Sequence, residues 1–229
     1  MTMKIDFQQG AKTGSWTWDL PLQMEAAKHI KFIQRFTHEL ATDNSKGNRA
    51  KWFGGNTTRV VNMLTNIDHY LNDRCARIIC LSWPGDGTYG SVWYNPTRFD
   101  FEDDEEWSKK MWGSDYYQEK TSDFQASGGY IRVATGLQIK LWGSYLKPTV
   151  HSGRDGLDEQ DTIRINTLFH EMTHRILATS DVTLPSGYKC YGYEKCIQLA
   201  TTNADSATQN ADNWGYFMAD YYKHGGSFH

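Results

Sequence analysis

The segment "RINTLFHEMTHRILATSD", residues 164–181, decides how this chain is interpreted. At about 100° per residue, a helix over residues 163–178 gathers its apolar side chains on one stripe: Ile165, Leu168, Phe169, Met172 and Ile176. His170 and His174 lie about 160° from the centre of that stripe and one turn apart. The pattern predicts a helix with one face in the core and two imidazoles on the other, and Asp161 stands where its N-cap is expected.

The pentapeptide HEMTH within this helix has the form of a zinc site. Two histidines at i and i+4 can bind one zinc ion because their side chains project in the same direction. Glu171, beside the first histidine, projects to one side, where its carboxylate can take a proton from a water at the metal. The pattern therefore indicates a hydrolytic zinc centre with His170 and His174 as ligands and Glu171 as the general base.

A third ligand must come from downstream, and the spacing alone leaves two candidates. Asp181 follows the expected end of the helix, and Glu194 lies twenty residues after His174, as in gluzincins of the thermolysin group. The sequence "YGYEKCIQ" around Glu194 lacks the NExxxD-type helix of that group. The metzincin pattern is excluded, because Leu177 and Ser180 occupy the positions of its glycine and its third histidine.

Further motifs accompany HEMTH: "ATSD" at 178–181, "CYGYEKCIQLA" at 190–200, "NADNW" at 210–214 and "WFG" at 52–54. Together they resemble the aspzincins, the deuterolysin and peptidyl-Lys metalloendopeptidase group, over residues 22–222 and most closely over 164–218. "ATSD" is similar to the family's Gly-Thr-x-Asp segment, with Ala178 in place of the glycine. "CYGYEKCIQLA" is similar to its Tyr-Gly followed by a cysteine-containing helix.

The resemblance implies a zincin-like peptidase domain with one Zn²⁺ per chain and peptide or protein substrates. It implies that His170, His174 and Asp181 hold the zinc and that Glu171 is the general base. It further implies that Tyr191 donates its hydroxyl to the oxyanion that develops on the substrate.

The chain departs from the family pattern in two places. "VTLPSGYKC" separates Asp181 from Tyr191, where the family has only a few residues. Lysine-specific members resemble "ADNYE", with two carboxylates for the substrate ammonium group, whereas this chain keeps Asp212 and has Gly215 in place of the second carboxylate. Asp212 is therefore expected to bind substrate, with a broad preference that tilts toward basic side chains.

The remaining pattern predicts an α+β fold that is mainly helical, with a small mixed sheet beside the HExxH helix. Helices are expected over 22–40 and 57–71, and strands over 76–83, 90–96 and within 128–146. The last strand region precedes the zinc helix and is expected to be the substrate-facing edge of the sheet. We expect a lead-in over residues 1–21 and one domain over residues 22–229.

Composition excludes several classes of function. A net charge of −3 gives no general attraction to nucleic acid, and no run of eighteen apolar residues could span a membrane. The N-terminus lacks the apolar region of a signal peptide, so we expect a secreted mature form or a delivered effector, acting as a monomer. The four cysteines allow two disulfides or free buried thiols. A zinc-stabilised binding module without activity is the alternative to a peptidase.

Overall fold

The computed structural model of the protein describes most of the N-terminal helices, four strands and most of the C-terminal third of the chain. The described residues are 3–9, 18–43, 47–75, 77–83, 90–92, 136–142, 145 and 160–224. Predictions for 93–96, for 128–135 and for most of 143–159 therefore lie outside the described residues.

The described part is mostly helical with a small sheet, which confirms the expected α+β class. The strands are β1 (Lys4–Gln9), β2 (Arg77–Trp83), β3 (Gly90–Val92) and β4 (Gly136–Trp142). The helices are α1 (Leu20–Thr42), α2 (Arg49–Phe53), α3 (Thr57–His69), α4 (Gln160–Leu177), α5 (Tyr193–Thr202), α6 (Ala204–Gln209) and α7 (Ala211–Lys223). A π-helical turn, Tyr70–Arg74, follows α3.

The two predicted N-terminal helices are confirmed, and local signals explain where they lie. At the start of α1, the Asp19 Oδ1 atom accepts a hydrogen bond from the Leu22 amide at 2.9 Å, and Pro21 occupies the first turn. The apolar stripe of α1 is buried, as is that of α3. Both stripes repeat at three to four residues, which is why their sequence pattern identified them.

The sheet has the order β1-β2-β4-β3. β1 and β4 each pair with β2 in parallel, and β3 pairs with β4 antiparallel. β1 lies in the segment that was expected to be only a lead-in. β4 is hydrogen-bonded to neighbours on both sides, so the prediction that it forms the edge of the sheet is wrong. Among the described strands, β3 and β1 occupy the edges.

Helix α4, which carries HEMTH, is buried on almost every side. Every residue from Thr162 to Phe169 is buried, and α4 packs against α7, α1, α3 and the β3–β4 side of the sheet. The face opposite the apolar stripe is thus covered as well, and the histidines project into the interior of the protein. Asp161 lies inside the first turn rather than at the N-cap, and its Oδ2 atom accepts a hydrogen bond from the Tyr222 hydroxyl.

The four cysteines are buried free thiols. Cys190 and Cys196 lie close together at the start of α5, where the Cys196 thiol is 3.9 Å from the Cys190 carbonyl oxygen. In the described part of the chain, no helix combines the length and the apolar character needed to cross a membrane.

Candidate metal centre

Helix α4 brings the two histidines of HEMTH together through their Nε2 atoms, which are 3.1 Å apart. The Nδ1 atom of His174 lies 2.9 Å from the Thr179 carbonyl oxygen, and the Nδ1 atom of His170 lies 3.2 Å from Asp212 Oδ1. Carbonyl and carboxylate oxygens only accept, so both Nδ1 atoms are assigned as the donors. This assignment leaves the two Nε2 atoms facing the same point.

Asp181 reaches this point because the chain turns sharply after α4. Ala178 adopts a left-handed conformation with φ of 55°, which reverses the chain at the end of the helix. Ser180 then forms a parallel bridge with Asn210, through Ser180 N to Gln209 O at 2.9 Å and Ala211 N to Ser180 O at 3.0 Å. The next residue, Asp181, is thereby placed over the imidazoles.

The Asp181 Oδ1 atom lies 3.3 Å from His170 Nε2 and 3.4 Å from His174 Nε2. This oxygen is buried and has no hydrogen bond of ordinary geometry. Tetrahedral ligands at zinc-to-nitrogen distances of about 2.0–2.1 Å are about 3.3–3.4 Å from one another. Two imidazole nitrogens and one carboxylate oxygen at this spacing fit a zinc ion, and three protein ligands are the number found in catalytic zinc sites.

The charges around the centre favour a cation. Burial alone lowers the pKa of His170, but the neighbouring carboxylates of Asp181 and Asp212 raise it to about 10. Burial opposes ionisation of Asp181, yet contact with the two imidazoles holds the pKa of its carboxyl group well below the usual range. The site thus keeps an ionised carboxylate and stabilises positive charge beside it, which is the field that a divalent metal requires.

The segment between Asp181 and Tyr191 forms a β-hairpin. Thr183 and Lys189 form an antiparallel bridge, and the Leu184 and Cys190 amides donate to Tyr188 O and Val182 O, both at 2.8 Å. The end of the insertion at Cys190 therefore lies beside its start at Val182. "PSG" at 185–187 supplies the turn, and Gly187 adopts φ of 84°.

The hairpin brings Tyr191 to the centre at its base. The Tyr191 side chain lies near the Asp181 carboxylate, and its ring centroid lies 6.4 Å from that of His170. Burial and the neighbouring carboxylate raise the pKa of Tyr191, so its hydroxyl keeps its proton at neutral pH. Glu171 is buried, with its Oε1 atom 4.0 Å from His170 Nε2.

Asp212, which the sequence predicts to bind substrate, lies in contact with His170 and with the Gly192 amide. Its side chain is 11% exposed, and its two oxygens contact His170 Nδ1 and the Gly192 amide, the latter at 2.7 Å. The geometry makes Asp212 the partner that orients His170. Sequence reasoning missed this contact because the two residues are 42 positions apart.

Position 215 is closed to a side chain. A Cβ atom added at Gly215 would lie 2.8 Å from the Asn166 carbonyl oxygen and 2.9 Å from its side-chain nitrogen. Helices α4 and α7 approach too closely here for the second carboxylate of the lysine-specific pattern. Gly215 is thus a packing residue at a helix crossing.

Glu194 does not join the centre. It lies exposed in the first turn of α5, whereas the acidic residue grouped with His170 and His174 in the described part of the chain is Asp181. The structure therefore does not support the gluzincin alternative.

Two comparisons with known proteins found similarities. Residues 113–219, which contain every residue of the centre, match the aspzincin family model, described as lysine-specific metallo-endopeptidase. A solved zinc peptidase from Grifola frondosa is similar over 86% of this chain and 91% of that chain, with 20% identity and a TM-score of 0.48. No curated protein sequence matches the chain. Residues 113–219, just under half of the chain, are thus similar to the aspzincin family of metallo-endopeptidases.

Proposed function

We propose that the protein is a zinc-dependent endopeptidase in which His170, His174 and Asp181 hold the metal. The observation that carries the proposal is the convergence of two Nε2 atoms and one buried carboxylate oxygen within 3.4 Å of one another. Zinc bound by these residues would act as a Lewis acid and lower the pKa of a water molecule.

Glu171 and Tyr191 would divide the remaining chemistry between them. Glu171 lies beside the metal ligands without belonging to them, so its carboxylate can take the proton of the attacking water and return it to the leaving amine. Tyr191 carries a hydroxyl that stays protonated, so it can donate a hydrogen bond to the substrate oxygen as negative charge develops there.

An extended substrate would bind beside β3. This strand is antiparallel to β4, lies at an edge of the sheet among the described strands, and packs against α4. A peptide added to an edge strand is held by main-chain hydrogen bonds that do not depend on its sequence. This arrangement supports cleavage within peptide chains and replaces β4, which is hydrogen-bonded on both sides, as the strand that receives substrate.

The side-chain preference would be broad. Asp212 is engaged by His170 and Gly192, and position 215 has no room for a carboxylate. Without a convergent carboxylate pair, a substrate ammonium group gains little over other side chains. We therefore propose that any tilt toward basic residues is small.

The test compares the wild-type protein with Glu171→Gln after loading with zinc. The wild type is expected to cleave denatured casein, and the variant is expected to bind one equivalent of zinc and leave casein intact. Full activity in the variant would remove Glu171 from the mechanism. A zinc-loaded wild-type protein that cleaves neither casein nor a mixed peptide library would instead indicate a binding module.

A further inference from the structure

Asn210 joins the two segments that deliver Asp181 and Tyr191. Its Oδ1 atom accepts a hydrogen bond from the Val182 amide at 3.0 Å, and its Nδ2 atom donates to the Cys190 carbonyl oxygen at 3.1 Å. Val182 directly follows Asp181, and Cys190 directly precedes Tyr191. One fully buried side chain thus holds both strands at the base of the hairpin.

The position of Asn210 in the chain makes this use of its side chain unusual. Asn210 is the N-cap residue of α7, where an asparagine side chain normally accepts a hydrogen bond from its own helix. Here the side chain makes no such bond and turns to the hairpin instead. Capping of a backbone amide of α7 therefore does not account for the side chain.

The chemistry at this point requires both ends of an amide. One end must accept from a backbone N–H and the other must donate to a carbonyl oxygen. An aspartate would keep the acceptor for Val182 but place an oxygen against Cys190 O. It would also face Asn213 Oδ1, which now accepts from Asn210 Nδ2 at 2.8 Å.

The backbone around Asn210 completes the connection to α4. Ser180 and Asn210 form a parallel bridge. The segment around Asn210 therefore holds the chain on both sides of Asp181, at Ser180 through the backbone and at Val182 through the Asn210 side chain. Asp212, two residues later, holds His170. The relative positions of the metal ligands and the tyrosine thus depend on residues 210–212.

We propose that Asn210 is a positioning residue that sets Asp181 and Tyr191 against the histidines of α4. The part that concerns Tyr191 rests on the proposed function. The part that concerns Asp181 rests only on metal binding and is testable without any peptide.

Asn213 provides a matched control in the same polar network. It is equally buried, and its Nδ2 atom donates to Trp52 O at 2.7 Å and to Cys196 O at 3.0 Å. It does not hydrogen-bond the Val182 amide or the Cys190 carbonyl group at the base of the hairpin. Asn213→Ala should therefore destabilise the fold without moving Asp181.

The experiment measures zinc affinity by competition with a chelator, together with thermal unfolding, for Asn210→Ala, Asn210→Asp and Asn213→Ala. Asn210→Ala is expected to bind zinc about 10- to 100-fold more weakly than the wild type, the range typical of residues that orient metal ligands. Asn213→Ala is expected to keep wild-type zinc affinity at a temperature where it is folded. Equal zinc affinity in folded Asn210→Ala and Asn213→Ala would overturn the proposal.

Asn210→Asp separates the contact with Val182, next to Asp181, from the contact with Cys190, next to Tyr191. It also replaces the alanine variant if that variant does not fold. It keeps the acceptor for Val182, so zinc affinity should change less than in Asn210→Ala, while kcat should fall about tenfold or more at nearly constant KM. Unchanged kcat in this variant would contradict the proposal that Asn210 positions Tyr191. A wild-type protein that binds zinc but cleaves no peptide would reject the proposed function and leave the zinc comparison valid.

Discussion

Asp212 Oδ1 lies 3.2 Å from His170 Nδ1 in the buried space between α7 and α4. The carboxylate accepts the Nδ1 hydrogen of His170 and so turns Nε2 toward Asp181 and His174. Its second oxygen accepts from the Gly192 amide at 2.7 Å, next to Tyr191. One carboxylate therefore couples the orientation of His170 to the loop that carries Tyr191.

Replacing Asp212 with asparagine should weaken zinc binding about 10- to 100-fold. The amide keeps one acceptor oxygen, so its nitrogen must face either His170 Nδ1–H or the Gly192 N–H, and one hydrogen bond is lost. Chelator competition measures the effect. Asp220→Asn is the control on the same helix, because Asp220 binds Lys51 and Trp52 instead, and its zinc affinity should match the wild type. Equal affinity in both variants would contradict the orienting role.

Ala178→Gly should stabilise the protein by about 1 kcal/mol, because alanine is strained at the observed φ of 55° and glycine is not. Thermal unfolding should show a midpoint higher by about 2–4 °C for a chain of this size. Gly187→Ala is the opposite control: it introduces a Cβ atom at φ of 84° with no neighbour within 4 Å, so only backbone strain acts, and stability should fall. A lower midpoint for Ala178→Gly would refute the strain argument.

Gly215→Ala should destabilise the fold by about 1–3 kcal/mol, the usual cost of overpacking. Its Cβ atom would lie 2.8 Å from the main-chain oxygen of Asn166, which cannot move without shifting α4. Gly55→Ala is the matched control because nothing lies within 4 Å of its added Cβ atom. Chemical unfolding of both variants measures the difference.

The same geometry makes a prediction about specificity. Gly215→Glu should lower stability and should not create a preference for lysine. The folded fraction of the Gly215→Glu protein can be incubated with a peptide library, and its cleavage sites show whether a preference for lysine has appeared. A stable Gly215→Glu protein with a new lysine preference would show that α7 can move to admit a side chain.

The stability of the protein should depend on pH through His29. Burial and the charge of Arg164 lower the pKa of His29 from 6.5 to about 4, although Asp161, 3.4 Å away, acts in the opposite direction. The folded state therefore keeps His29 neutral while the unfolded chain takes up a proton below pH 6.5. The contribution of His29 to the free energy of unfolding is fully present above pH 6.5 (the unfolded pKa is about 6.5). It is lost as the pH decreases toward 4, which lowers the free energy of unfolding by roughly 3 kcal/mol.

His29→Leu should remove this part of the pH dependence, as measured by chemical unfolding between pH 7 and pH 4 (~3 units). His38→Ala is the control on the same helix, since His38 is exposed beside Asp68. The free energy of unfolding of the His38→Ala protein should fall with decreasing pH as steeply as that of the wild type. A His29→Leu protein with the wild-type slope would assign the acid sensitivity to other groups.

The sequence by itself determined the elements whose pattern repeats along the chain. The apolar stripes of α1, α3 and α4 follow from helical periodicity, and the pairing of His170 with His174 follows from the length of one helical turn. These features are local, because each is set within about two turns of backbone.

Only the tertiary structure decided how distant residues meet. Asp181 and Tyr191 are separated by an insertion, and the hairpin and Asn210 bring them together. Asp212 became the partner of His170 because α7 packs against α4, and the same close packing removed the space for a carboxylate at 215. β1 belongs to the sheet through its hydrogen bonds to β2 rather than through its own composition. Such contacts depend on how elements far apart in the chain pack, which periodicity within one segment does not encode.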